Sequence, residues 1–204
     1  GVGSAGGVQQ AEGKGSWGRA YAALLGSPLG AGGARFRTGS AKAGPAESVF
    51  CGCFPRTVFE QVGLFDTSFH RNQDNEFNWR LRRNGLCVWF DPLIRARYYC
   101  REGLLPILRQ NFQNGQWNIY TLFRAPGALS ARHLVPFVAL AGVLVLAVTG
   151  LWVPLAALSV LYLLATLWST IGFGSGLGVA GAARTWVLHP LVHVSYALGS
   201  ACGL

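Results

Sequence analysis

Between Leu134 and Ala183 the chain contains no Asp, Glu, Lys or Arg. So long an uncharged stretch does not form a solvated surface; it is covered by other protein or lies in lipid. All eight acidic residues, and every basic residue except Arg184, lie before Leu134. A basic polar part and an apolar part therefore meet near His133. Residues 134–152 and 154–173 are each long enough to cross a bilayer, which needs about 20 apolar residues. Residues 172–181 read as a small-residue loop. Residues 186–204 form a third, weaker candidate span, since they include His189, Pro190 and His193. Those histidines stand at i and i+4 on one helix face. Without further ligands in view they read as polar packing between helices rather than a metal site. Arg124, Arg132 and His133 stand just before the first apolar run, which puts the polar part on the cytoplasmic side by the positive-inside rule.

The polar part is organised around residues 70–85, HRNQDNEFNWRLRRNG. The spacing predicts a short helix over 75–84, with Asp74 at its N-cap and Asn84-Gly85 as its stop. Free backbone N–H groups and the positive end of the helix dipole would keep Asp74 ionised, and an ionised carboxylate can accept a proton. The pattern alone fits two readings, a cap and a catalytic base.

Other elements follow from local signals. Residues 1–15 are Gly-rich and read as a loop. Residues 17–25 have helical composition, with Ser16 as N-cap and Gly26 as stop. Residues 29–33 lack any phosphate-loop pattern and read as an ordinary loop. Residues 46–54 read as a strand, in which Gly52 either lets a ligand approach closely or marks a bulge. A helix over 56–62 follows, and Phe65 is expected to plug the core beneath the site. Strands are expected over 86–90 and 95–100, separated by Asp91-Pro92. Tyr98 and Tyr99 would then point to opposite faces. Residues 103–123 form a long amphipathic helix. Its apolar side is Leu104, Leu105, Ile107, Leu108, Phe112, Ile119, Tyr120 and Phe123; Arg109, Gln110, Gln113, Asn114 and Gln116 are polar. Lying before apolar spans, it suits either the bilayer interface or a packed surface.

Three motifs stand in order: Arg-x-Val-Phe-Glu-x-Val-Gly-x-Phe-Asp over 56–66, Gln-Asp-x-Glu-x-Asn-x-Arg-Leu-Arg-x-x-Gly over 73–85, and Trp-Phe-Asp-Pro over 89–92. Together they resemble the acceptor half of inverting family-2 glycosyltransferases of the GT-A type, and within them the membrane-bound succinoglycan-biosynthesis type. The resemblance runs from about Gly13 to Leu204. It implies an α/β fold: the acceptor-side half of a GT-A domain over 1–102, an amphipathic interfacial helix and linker over 103–133, and transmembrane helices over 134–204. It implies transfer of a sugar from a nucleotide-sugar donor to a lipid-linked or polysaccharide acceptor in cell-surface or exopolysaccharide synthesis, at the cell (inner or plasma) membrane. Asp74 would be the general base, and Gln73 would orient the acceptor. Glu76 and Arg80 would support the site from behind, and the strand carrying Gly52 would line the acceptor cleft. Gln113, Gln116 and Trp117 fall on a Gln-x-x-Arg-Trp motif of polysaccharide synthases that contacts donor diphosphate and shapes the acceptor site. Gln116 replaces its Arg, losing a cation suited to phosphate.

The family's nucleotide-binding βαβ units and metal-binding Asp-x-Asp are not in this sequence. The chain also contains no Met and opens without a signal peptide. It is therefore expected to be a piece of a longer protein. Mg²⁺ or Mn²⁺ would be held upstream, with no metal ligand here. The alternative reading is a non-catalytic membrane-anchored interaction module or a degenerate glycosyltransferase fragment. A net charge of +9 suits anionic lipid headgroups or a phosphate-bearing substrate. No basic stripe with interleaved aromatics marks a nucleic-acid module, so nucleic acid is not an expected partner. Five cysteines without a Cys-x-x-Cys pair read as reduced, partly buried thiols of a cytosolic domain.

Overall fold

A computed structural model describes residues 1–38 and 42–203; residues 39–41 and Leu204, the end of the third expected span, lie outside it. The chain begins with strand β1 (Val2–Glu12), followed by helix α1 (Ser16–Gly26) and the short helices α2 (Pro28–Ala31) and α3 (Arg35–Thr38). Strands β2 (Gly44–Pro45) and β3 (Phe50–Cys53) precede helices α4 (Arg56–Val62) and α5 (Gln73–Arg83). Strand β4 (Cys87–Tyr99) leads to α6 (Leu104–Arg124) and then to three apolar helices, α7 (Val135–Val148), α8 (Trp152–Gly174) and α9 (Gly178–Cys202).

The strands make one mixed sheet in the order β2-β4-β1-β3, β1 running parallel to β4 and antiparallel to β3. The predicted opening loop is thus an inner strand of the sheet. The glycines that made it look like a loop serve close approach. A Cβ on Gly7 would stand 1.9 Å from the Ile94 carbonyl oxygen, and one on Gly6 2.6 Å from that of Phe50. The two strands expected either side of Asp91-Pro92 are one irregular strand. Gly6 pairs with Phe90 and Val8 with Arg95, so residues 91–94 bulge outward opposite Gly7. Asp91 Oδ1 accepts from Leu93 N–H at 2.9 Å and closes the bulge. Of the expected strand over 46–54, Ala46 donates its N–H to the Val88 carbonyl of β4 at 2.9 Å and Phe50–Cys53 pairs with β1. It bulges at Cys51 (φ 50°) and Gly52, between the pairs Ala5–Cys53 and Gly7–Phe50.

Ser16 does not cap α1. The Glu102 carboxylate accepts from Lys14 N–H at 2.7 Å and Gly15 N–H at 2.5 Å instead, which holds it below the usual carboxylate range. The loop expected over 29–33 contains α2, whose first turn is capped by Ser27 Oγ accepting from Gly30 N–H at 3.1 Å.

Two cores stabilise the fold. One packs Val49, Val58, Phe77, Leu81, Val88 and Phe90 between α5 and the sheet. The other joins α1 (Tyr21, Leu24) to Ile107 of α6 and to Leu188 and Val192 of α9. The apolar part is therefore not separate from the polar part, because α9 shares a core with α1 and α6. Contact between α6 and α9 depends on small residues. A Cβ on Gly115 would lie 2.1 Å from the Tyr196 carbonyl oxygen, and one on Gly199 1.9 Å from that of Phe112. Gly199→Ala is expected to cost about 1–3 kcal/mol as the helices separate, read as a lower unfolding midpoint in detergent. An unchanged midpoint would count against this close crossing.

This crossing also sets which face of α6 is buried. Its buried face includes Ile107, Asn111, Gly115 and Asn118, whereas Leu105 and Phe123, placed on the apolar side, are 75% and 71% exposed. Two helical segments, Ala131–Val148 and Trp152–Cys202, are long and apolar enough to cross a membrane, the second holding both α8 and α9. The loop expected over 172–181 is reduced to a 3₁₀ turn, Ser175–Leu177. Cysteine burial differs from expectation as well. Cys51, Cys53 and Cys202 are exposed, Cys87 is half-buried, and only Cys100 is buried, with its thiol pushed up to about 11 by desolvation. All five are free.

Candidate functional site

A cavity of about 780 Å³ opens where the sheet and α1–α3 face α6, α7 and α9. Helix α5 reaches it with its first turn. The helix starts at Gln73 rather than Asn75, so Asp74 is its second residue, and the N-cap is Asn72 in a left-handed conformation (φ 61°). Asn tolerates that conformation better than most residues. The Asn72 side chain does not cap. Its Nδ2 donates to Asn118 Oδ1 at 2.6 Å and to Thr121 Oγ1 at 3.1 Å, fastening α5 to α6. Arg71 adds a second tie, donating to Gln113 Oε1 at 2.6 Å and Asn114 Oδ1 at 3.0 Å.

Asp74 lines the cavity, and among the described lining residues it is the one carboxylate. It is open to the water of the cavity while protein surrounds it on its other sides. That enclosure raises its carboxyl above the usual carboxylate range, against the pull of the Asn75 N–H that donates to Oδ1 at 2.9 Å. A helix N-terminus alone predicts the opposite direction. Here desolvation outweighs the backbone N–H groups that favour the charged form.

The other expected site residues occupy different places. Gln73 is exposed at the start of α5 and does not line the cavity. Gly52 sits in the β3 bulge, where a Cβ would stand 3.1 Å from the Phe54 ring; Ser48, Val49 and Phe50 nearby line the cavity instead. Gln113 faces a smaller neighbouring pocket with Arg71, Arg101 and Arg109. Gln116 is half-buried on α6, outside both pockets. Trp117 packs on His70 (centroids 5.4 Å apart) and Tyr120 (5.1 Å), steadying the loop before α5. Glu76 is buried and pairs with Arg80 through two contacts of 2.7 and 2.8 Å. Arg80 also donates to the Val62 and Leu64 carbonyls, both at 2.9 Å, so the pair ties α5 to the loop after α4.

Sequence reasoning missed the polar wall of the cavity. Asn111, Asn114 and Asn118 line it from α6. Their i, i+3, i+7 spacing is a helical stripe that the sequence does carry. Gln9, Arg37 and Arg132 line it from separate elements, and no local signal groups them. Three polar atoms on this wall are buried without a hydrogen-bond partner among the described residues: Gln9 Oε1, Arg37 Nε and Gln110 Oε1. Among the described residues no three His, Cys, Asp or Glu side chains come together. The residues present therefore do not fit the several-oxygen site that Mg²⁺ or Mn²⁺ needs.

Comparison with known proteins points to glycan synthesis. The chain is 27% identical over 175 residues to the succinoglycan biosynthesis protein ExoA of Rhizobium meliloti (strain 1021), covering 84% of this chain and 53% of that protein. It is 31% identical over 116 residues to the dolichyl N-acetyl-alpha-D-glucosaminyl phosphate 3-beta-D-2,3-diacetamido-2,3-dideoxy-beta-D-glucuronosyltransferase of Methanococcus voltae, covering 57% of this chain and 34% of that protein. The chain thus spans about half the length of the first relative and about a third of the second. No protein-family model matches the chain, and no solved structure matches it.

Proposed function

We propose that this chain carries the acceptor-side half of a GT-A domain and the membrane part of an inverting family-2 glycosyltransferase. It would move a sugar from a nucleotide-sugar donor to a membrane-associated acceptor in cell-surface or exopolysaccharide synthesis. The observation that carries the reading is Asp74: a lone carboxylate, raised in pKa, in a cavity between the sheet and helices apolar enough to cross a membrane. The similarity to two proteins named for glycan assembly supports it.

In this reading the acceptor hydroxyl lies against Asp74. The carboxylate takes its proton as the hydroxyl oxygen attacks the anomeric carbon opposite the leaving diphosphate. The new carbon–oxygen bond forms, the bond to the diphosphate oxygen breaks, and the nucleotide leaves with that electron pair. A positioned base contributes roughly 10²–10⁴-fold, most effectively when its pKa approaches the working pH. Asn72 and Arg71 fix α5 on α6 and so fix the base. The apolar helices form a multi-pass anchor with the catalytic part on the cytoplasmic side, supported by Arg124 and Arg132 before the first apolar segment.

The test is transfer from a panel of nucleotide sugars to membrane acceptors in nanodiscs, by the chain alone and extended by its native flanking sequence, with a pH profile of kcat/KM. Asp74 must be ionised to act. Activity is full above its raised pKa and is lost as pH falls through it, so the acid limb should lie above about pH 4, the value of an unperturbed Asp. An acid limb at or below that value would remove Asp74 from the role of base. Absence of transfer from both versions, each folded, would favour a membrane-anchored interaction module.

A further inference from the structure

Helix α5 does not cap its own first turn. An N-cap residue ordinarily turns its side-chain oxygen onto a backbone N–H of that turn. Asn72 does not. Its Nδ2 is committed to Asn118 and Thr121 of α6, and its Oδ1 accepts from Asn75 Nδ2 at 3.4 Å. The point where α5 begins, with Asp74 as its second residue, is therefore set by α6. Asn118 in turn is buried, and its amide bridges two helices. Its oxygen holds Asn72, while its Nδ2 donates to the hydroxyl of Tyr196 on α9. The close helix crossing brings Tyr196 there, since its carbonyl oxygen is the atom that a Cβ on Gly115 would meet. Asn72, Asp74, Asn75, Asn118 and Tyr196 all line the same cavity. A chain of hydrogen bonds thus runs from α9, on a segment long and apolar enough to cross a membrane, through α6 to the turn that carries Asp74. A buried amide left with one end unpaired bears the desolvation cost of that end. Without the Tyr196 hydroxyl, the Asn118 amide turns to find another partner and its hold on Asn72 loosens.

We propose that Asn118 and Tyr196 are positioning residues: the Tyr196 hydroxyl fixes the Asn118 amide, the amide fixes Asn72, and Asn72 fixes the turn that holds Asp74 against the acceptor hydroxyl. The inference rests on the general-base reading of Asp74. It adds that an apolar helix outside the sheet determines where the base stands. Neither residue touches the reacting atoms, so both act on kcat and leave substrate binding nearly unchanged. Displacing a reacting group by about 1 Å costs about 10²-fold in rate, which makes a tie of this kind consequential.

The experiment measures kcat and KM for sugar transfer in nanodiscs by the chain extended by its native flanking sequence. Beside it, amide hydrogen exchange is followed at Glu76, whose N–H donates to the Asn72 carbonyl at 2.9 Å in the first turn of α5. Tyr196→Phe should lower kcat roughly ten- to a hundredfold, with KM within about twofold of the parent. Asn118→Leu, of similar size but without the amide, should do the same. The two changes together should cost no more than the larger one alone, because both break one chain. Asn72→Gly keeps the left-handed backbone, cuts the tie and should match them. Ser195→Ala removes a different hydrogen bond between the same helices, from Ser195 Oγ to the Leu108 carbonyl at 2.8 Å, and should leave kcat at the parent level. Parent kcat in folded Tyr196→Phe and Asn118→Leu proteins would overturn the inference, and so would additive losses in the double variant. An equal loss in Ser195→Ala would assign the effect to the general packing of α9 and overturn it. A raised KM at parent kcat would make the two residues substrate contacts and overturn it too. If no version transfers sugar, faster exchange at Glu76 in Tyr196→Phe but not in Ser195→Ala supports the tie and overturns only the reaction proposed above. Unchanged exchange would overturn the tie as well.

Discussion

Asp74→Asn is expected to reduce sugar transfer by roughly 10²–10⁴-fold, the contribution of a positioned general base, while leaving the fold intact. The amide is nearly the same size as the carboxylate, and its oxygen can still accept from the Asn75 N–H that now donates at 2.9 Å. The first turn of α5 therefore keeps its shape, and Asn72 still holds it to Asn118 and Thr121. What is lost is the lone pair able to take a proton. The measurement is single-turnover transfer by the folded variant beside the parent protein, with unfolding midpoints compared in the same detergent. Turnover near that of the parent would remove Asp74 from the chemistry. Because the side chain also feels desolvation, the neutral amide should be no less stable at its site than the charged form, so a large drop in midpoint is not expected.

Phe77→Ala should be the most destabilising single change in the sheet-side core. Phe77 is fully buried on α5, with Phe65, Phe54 and Phe59 at centroid distances of 4.5, 5.2 and 5.4 Å. The Arg80 guanidinium lies 4.9 Å from the ring centre on the same helix. Truncation removes the ring on which the others pack and leaves a cavity that rigid neighbours fill only in part. A loss of about 3–5 kcal/mol is expected, measured by denaturant unfolding in detergent. A loss below about 1 kcal/mol would mean that the four rings are not a packed unit. Since α5 also carries Asp74, any folded residue of this variant should transfer sugar more slowly, with the base less well held.

The contrast between these two residues illustrates what could be read from the sequence. The hydrophobic spacing of Phe77 and Leu81, the stop at Gly85 and the early carboxylates were enough to locate α5 to within two residues. The helices Arg56–Val62 and Leu104–Arg124 were likewise legible, since periodicity and end signals are local. Strand β1 was not legible, because its glycines carry the composition of a loop and are explained only by the Phe50 and Ile94 carbonyls that press against them. The orientation of α6 was hidden for the same reason. Hydrophobicity marked an apolar side that includes the exposed Leu105 and Phe123, whereas close contact of Gly115 with α9 turns the asparagine stripe inward.

The sequence by itself determined where charge ends and apolar helices begin, where most helices lie, and that Asp74 stands at the start of one of them. These depend on the composition and periodicity of neighbouring residues. Only the tertiary structure decided that Gln9, Arg37, Asp74, the α6 asparagines and α7 border one cavity, and that Gln73, Gln116 and Trp117 do not. Those residues come from separate elements, brought together by the β1–β4 pairing and the α6–α9 contact. Contacts across such sequence distances leave no periodic trace in the chain. The direction of the Asp74 shift was decided at the same level, because desolvation depends on what surrounds a group rather than on its neighbours in sequence.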